Sequence, residues 1–212
     1  MKAPNLTPPP LKLFGRAGSH FTRLTRMFAF DTGTPYEFIP ILDMRELDPA
    51  VYGGHPALKL PVLLIGDQPL FGSENICRWF TAHAKSPRTV LWSEDLPGPD
   101  YANAQELVWQ CMSAQVQIII TTRLYGLPVD QPYLDKLRTG MAGGLGWLDD
   151  QIDSLLEPMP HHDISLLEHS LFCLFEHIRF RQTIEVNLFT RIRQFAGGMR
   201  SRPSAVATQF GD

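Results

Sequence analysis

The sequence predicts an α/β domain followed by an all-helical one, and three observations carry that reading. Short apolar runs of strand length fill the first third of the chain. A stretch of helical periodicity separates the first two of them. Beyond residue 100 only long helical patterns remain. Alternating strands and helices followed by helices alone argue for two domains with different architectures.

The elements follow in order. Residues 1–10 hold Pro4, Pro8, Pro9 and Pro10 without an apolar stretch, and read as a disordered Pro-rich tail rather than a secretory leader. Lys12-Leu13-Phe14 is the first strand and stops at Gly15. From Ser19 to Thr32, the residues Phe21, Leu24, Met27 and Phe28 share one helical face. EFIPIL (37–42) and PVLLI (61–65) are further strands, and Gly66-Asp67 is a turn that lets Leu70-Phe71 pair back as a hairpin. A second helix follows from Ser73 to Ala84, burying Ile76 and Phe80. Residues 11–84 thus make the first domain, and 85–100, with Pro87, Pro97, Gly98 and Pro99, read as a linker. The helical domain spans 101–212, with helices expected over 101–123, 131–156, 165–179 and 184–196.

Composition narrows the function. Hydrophobic residues are 44% and charged residues 19%, the balance of a globular chain. A formal net charge of −3 supplies no cationic surplus for phosphate, so nucleic acid is not an expected partner. No apolar run approaches the roughly 20 residues that cross a bilayer, so no membrane is expected either. Cys77, Cys111 and Cys173 form no metal-type or Cys-x-x-Cys spacing and read as thiols of a reducing compartment, which implies the cytoplasm. His161, His162 and His169 do not make a convincing ligand set, so no metal is expected.

Three short stretches can carry chemistry. In LFGRAGSHFTRLTRMFAFDTGTPY (13–36), Ser19 opens a helix, where its hydroxyl lies among unpaired backbone N–H groups. A thiolate placed there meets a hydroxyl donor and the positive end of a helix dipole; the same serine also serves as an ordinary N-cap. In HPALKLPV (55–62), a cis bond at Leu60-Pro61 would offer the Leu60 backbone to an extended peptide, while the local pattern taken alone favours a trans proline opening the strand. In LFGSENI (70–76), Ser73 at a helix start forms a carboxylate site or a plain cap.

Together the stretches resemble the glutathione S-transferases. Ser19-His20-Phe21 matches the family's Ser-Pro-Phe, and Gly33, Pro35 and Tyr36 match its Gly-x-Pro-Tyr. His55 to Leu63 matches its Asn-Pro-x-x-Lys-Val-Pro-Val-Leu, and Gly72, Ser73 and Ile76 fall on its acidic-or-amide residue, serine and isoleucine. In the second half, Ser165 and Glu168 stand where the family has a capping box before its buried central helix.

The resemblance implies a thioredoxin-like N-terminal domain with a mixed four-stranded sheet and a cis-proline, followed by a helical bundle. It implies glutathione as co-substrate, with no metal, and a small hydrophobic electrophile as second substrate. Ser19 would donate to the thiolate, Leu60 before Pro61 would pair with the cysteinyl backbone, and Lys59 would reach the glycyl carboxylate. Gly72 and Ser73 would border the γ-glutamyl group. Arg16, Ala17, Gly18, His20, Trp109, Met112 and Val116 would line the electrophile pocket, although His20 equally reads as a solvated or satisfied ring, and Trp109, Met112 and Val116 as core or interface residues. A cytoplasmic homodimer with a detoxification role is implied. Gly72 departs from the acidic or amide residue, leaving open a non-catalytic binding protein, or a glutathione-dependent isomerase or peroxidase; Glu74 is the nearest residue able to compensate.

Overall fold

A computed structural model describes residues 10–211. The tail expected over 1–10 lies, but for Pro10, outside the described residues. Strands β1 (Leu11–Gly15), β2 (Glu37–Pro40), β3 (Val62–Ile65) and β4 (Gln68–Phe71) form one sheet in the order β2-β1-β3-β4. β2 runs parallel to β1, and β3 antiparallel to both β1 and β4. Helix α1 (His20–Asp31) crosses between β1 and β2, and α2 (Ser73–Ala82) follows β4. Their apolar stripes meet: Leu24, Met27 and Phe28 of α1 and Ile76, Cys77 and Phe80 of α2 share one core with Leu13 and Leu63 of the sheet. The mixed four-stranded sheet and its hairpin are as expected.

The expected linker holds a short strand, β5 (Val90–Leu91), which pairs in parallel with β6 (Ile164–Ser165) just ahead of the central helix. Two-residue strands leave no periodicity to read, so this pairing was invisible locally. The helices are α3 (Pro99–Ile119), extended by a π turn over Ile120–Leu124, α4 (Pro132–Leu156), α5 (Leu166–Arg181), α6 (Thr190–Met199) and α7 (Pro203–Ala207). The helix expected over 184–196 starts at Thr190, because Asp149 of α4 accepts the Ile192 N–H at 2.8 Å and fixes the start from a distance.

Helix α5 is the axis of the second half. Leu167, Leu171, Phe172, Leu174, Phe175 and Ile178 are all buried, and so are the polar His169, Ser170 and His177, so the helix is enclosed by its neighbours on most sides. Its N-cap is Ser165, which accepts from the Glu168 N–H at 3.4 Å. The capping box is only half made, since the Glu168 carboxylate turns instead to His162 at 2.7 Å. Helix α1 packs on α5 and α7, which joins the two halves.

Candidate functional site

The sheet register gathers the three chemical stretches at one end. Phe14 of β1 faces Val62 of β3, and Val62 faces Phe71 of β4. Each expected site segment leaves just beyond that row: the turn from Arg16 to Ser19, Leu60-Pro61, and Gly72-Ser73. The turn at Arg16 to Ser19 therefore meets the other two segments, more than 40 positions further along the chain, at one end of the sheet, as a short antiparallel ladder requires.

Ser19 is the N-cap of α1, and its Oγ accepts the Thr22 N–H at 3.3 Å. A hydroxyl has one proton and two lone pairs, so capping as an acceptor still leaves the O–H able to donate. The cap and the donor role are compatible.

The Leu60-Pro61 bond is cis. Neither the N–H nor the C=O of Leu60 pairs with another main-chain group among the described residues, so both remain for a bound peptide. Lys59 is exposed beside it, and Leu58 holds a left-handed φ of 53°.

At α2 the N-cap is Gly72, and Ser73 is the first helical residue, a correction to the expected serine cap. Gly72 sits at φ 88°, a conformation open to glycine and strained for other residues. Helix α2 starts directly after β4, so its first N–H groups lie at this end of the sheet with no side-chain cap among the described residues, an arrangement able to receive a carboxylate beside Ser73. Glu74 does not replace the missing acidic residue. Its carboxylate is drawn along α2 to Arg78 at 2.7 Å, and Arg78 also binds Glu94 and lies over Trp92.

The expected electrophile pocket is only partly assembled by its seven residues. Arg16 donates to the Leu42 carbonyl at 2.8 Å, and Ala17 and Gly18 continue the turn at the cleft edge. Arg181 and the Gly211 carbonyl crowd Gly18, so the C-terminal segment also reaches this edge. Trp109 stacks on Phe21 at 6.1 Å and borders a groove of about 470 Å³ between α3 and α4, while Val116 is half-buried one turn beyond Met112.

His20 and Met112 are fully buried and line no cleft. The His20 ring leaves the first turn of α1 toward the helical half, where Nε2 meets the Met112 carbonyl at 3.0 Å and Nδ1 meets Nδ1 of His177 at 2.9 Å. His177 in turn meets the Gly18 carbonyl through Nε2 at 2.9 Å. Burial pushes the His20 ring down to about 3. Burial, with His20, Arg181 and Arg123 adding, pushes His177 to about 2. His177, Gln115 and the Phe210-Gly211 segment escaped sequence reading, since their approach to Ser19 spans most of the chain.

The cysteines offer no competing nucleophile. All three are buried and free, and burial raises Cys111 to about 11 and Cys173 to about 12. No group of three metal-binding side chains occurs among the described residues, and no helix among them is long and apolar enough to cross a membrane.

Residues 13–88 match the family model of the glutathione S-transferase N-terminal domain. Over 95% of this chain and 100% of the other, the structure superposes with a TM-score of 0.77 and 18% identity on a glutathione transferase family member from Pseudomonas fluorescens Pf-5 with bound glutathione. The fold is that of the glutathione S-transferases. A glutathione S-transferase from Methylobacterium radiotolerans, in complex with glutathione sulfonate, gives a TM-score of 0.72 at 17% identity, covering 96% of each chain. A maleylacetoacetate isomerase from Methylobacterium extorquens AM1, with bound malonate and glutathione, gives 0.71 at 17%, covering 93% of this chain and 91% of that one. No curated protein sequence matches the chain. The glutathione S-transferase fold accounts for the placement of Ser19, Leu60 and Ser73 around one end of the sheet.

Proposed function

We propose that the chain is a glutathione transferase. Glutathione lies along the cleft with its cysteinyl backbone on Leu60 and its γ-glutamyl carboxylate at Ser73. Its thiol sits at Ser19. The observation that carries this reading is the common departure of all three segments from the Phe14, Val62, Phe71 row, with the Leu60 backbone making no main-chain pair among the described residues. Lys59 reaches for the glycyl carboxylate.

Ser19 donates to the thiolate, and the α1 N-terminus adds its dipole. Together they lower a thiol pKa that is about 8.5 in water. The thiolate then attacks a small apolar electrophile held beside Arg16, Ala17 and Gly18, with Trp109 and Val116 contributing from α3. Rate is gained by holding sulfur and electrophile together and by keeping the sulfur ionised. The protein acts as a cytoplasmic homodimer in detoxification, with α2 of one subunit against α3 of the other.

One residue favours a second reading. Gly72 provides no side chain for the γ-glutamyl amino group, and a lost charge-assisted hydrogen bond of about 1.5–3 kcal/mol weakens binding roughly ten- to hundred-fold. A non-catalytic glutathione-binding protein would tolerate that loss. An assay that mixes protein, glutathione and a panel of aryl halides, enones and peroxides separates the two. Product formation supports the transferase, isomerase or peroxidase class according to the product, and binding without turnover supports the second reading.

A further inference from the structure

The two buried histidines make three contacts that two neutral rings cannot satisfy. Nε2 of His20 meets the Met112 carbonyl and Nε2 of His177 meets the Gly18 carbonyl, so each of these nitrogens must carry hydrogen. That places a lone pair on both Nδ1 atoms, which face each other at 2.9 Å. Flipping the His20 ring does not help, because both of its nitrogens are engaged. Gln115 fixes which ring accepts. Its Oε1 takes the Thr183 hydroxyl at 2.6 Å, so its NH₂ donates to Nδ1 of His177 at 3.1 Å. His177 Nδ1 is therefore an acceptor, and the missing proton belongs on Nδ1 of His20.

A proton there makes His20 an imidazolium, fully buried and in need of a counter-charge. Among the described residues no carboxylate faces the pair. Arg123 and Arg181 act on His177, with Arg16 in the preceding turn and Arg23 one turn along α1. Glu176, beside His177 in α5, is held by Arg179 and Arg200 at 2.9 and 2.8 Å. From α3 only the neutral Gln115 and the Met112 carbonyl face the pair. The pair grips the residues on either side of Ser19, which are Gly18 through its carbonyl and His20 itself.

We propose that His20 and His177 are a proton-accepting pair bracketing Ser19, filled when an anionic sulfur binds there. The inference rests on the reading of Ser19 as the thiol site. On binding, the S–H bond breaks and leaves its electron pair on sulfur, and an N–H bond forms at Nδ1 of His20, shared with Nδ1 of His177. Water carries the proton, and thiolate and imidazolium neutralise each other across the first turn of α1. Neither histidine touches the substrate; both are positioning residues.

Calorimetry of glutathione binding to the full chain near neutral pH, in phosphate and in Tris, tests this, with the ultraviolet thiolate band recorded alongside. Buffer ionisation heats differ, so any proton released to solvent appears as a difference in heat. The expected result is a thiolate band with equal heats in the two buffers. His20→Gln and His177→Gln, first checked for folding by circular dichroism, should instead release protons for whatever thiolate they form, approaching one per site. Release of about one proton by the unaltered protein, or binding without a thiolate band, overturns the pair while leaving glutathione as ligand. Absence of binding overturns the glutathione reading first. Ring nitrogen shifts of labelled histidine then decide the rest: two neutral rings from about pH 5 to 8, with glutathione sulfonate as anionic probe, overturn the pair as well.

Discussion

The Oδ2 oxygen of Asp31 lies 3.1 Å from Nε2 of His169, and this contact ties the end of α1 to the central helix α5. The same oxygen receives Arg202 at 3.1 Å and the Ser204 hydroxyl at 3.0 Å, which brings in α7. His169 donates its other nitrogen to the Ser165 carbonyl at 2.8 Å. One carboxylate thus joins the α/β half to the helical half, at the opposite end of α1 from Ser19.

Asp31→Ala should destabilise the protein by about 2–4 kcal/mol, because it strands a buried histidine and an arginine together. Burial alone would raise the Asp31 carboxyl, but hydrogen bonding and charge from His169, with Arg202 and Ser204, hold it below the usual carboxylate range. Its contribution is therefore complete above about pH 4 and is lost as pH falls further through the lowered value. Urea denaturation of both proteins at neutral and acid pH should show the difference shrinking in acid.

The histidine pair sets an earlier window. Both rings titrate far below their ordinary 6.5, near 3 for His20 and 2 for His177. The unfolded chain binds those protons first, so ligand-free stability should fall as pH drops below about 6.5, by at most about 1.4 kcal/mol per pH unit per ring. The double variant His20→Gln, His177→Gln should flatten the profile between about pH 6.5 and 4.5. A profile of unchanged slope would contradict the assignment.

Ser19→Ala removes the hydroxyl donor. The thiol pKa of bound glutathione should rise by about 1–2 units and kcat/KM near neutral pH should fall roughly ten- to hundred-fold. Loss of the N-cap should cost about 1 kcal/mol of stability. Titration of the thiolate band in the complex reads the first effect separately from the second.

Gly72→Gln restores an amide beside the γ-glutamyl group at a backbone φ of 88°. Stability should drop by about 1–2 kcal/mol from the left-handed strain, while glutathione binds up to roughly tenfold more tightly. If both stability and affinity fall, the γ-glutamyl group does not lie where we place it.

Sedimentation at micromolar concentration should give about twice the 24.0 kDa chain mass. A stable monomer would remove the homodimer.

What was legible in the sequence follows from range. β3 and β4, with Gly66-Asp67 between them, announce their hairpin through local turn chemistry, and α5 announces itself by Ser165 and its apolar run. Ser19 and Ser73 were found because helix starts leave a local mark, although at α2 the cap proved to be Gly72. The pairing of Val90 with Ile164 and the capping of Ile192 by Asp149 join residues distant in sequence, so no local pattern contains them. His20 shows the same limit at the site. Its position beside Ser19 fitted both a contact with the thiol and a satisfied ring, and the choice was made by Met112 and His177, 92 and 157 positions away.

The central claim is that glutathione binds between Ser19, Leu60 and Ser73. Calorimetric titration of the unaltered chain and of Ser73→Ala with glutathione tests it most directly. The dissociation constant should fall in roughly the micromolar to low-millimolar range and weaken about tenfold or more in the variant as the carboxylate loses its hydroxyl partner. No heat of binding at millimolar glutathione, or equal affinity in both proteins, would contradict it.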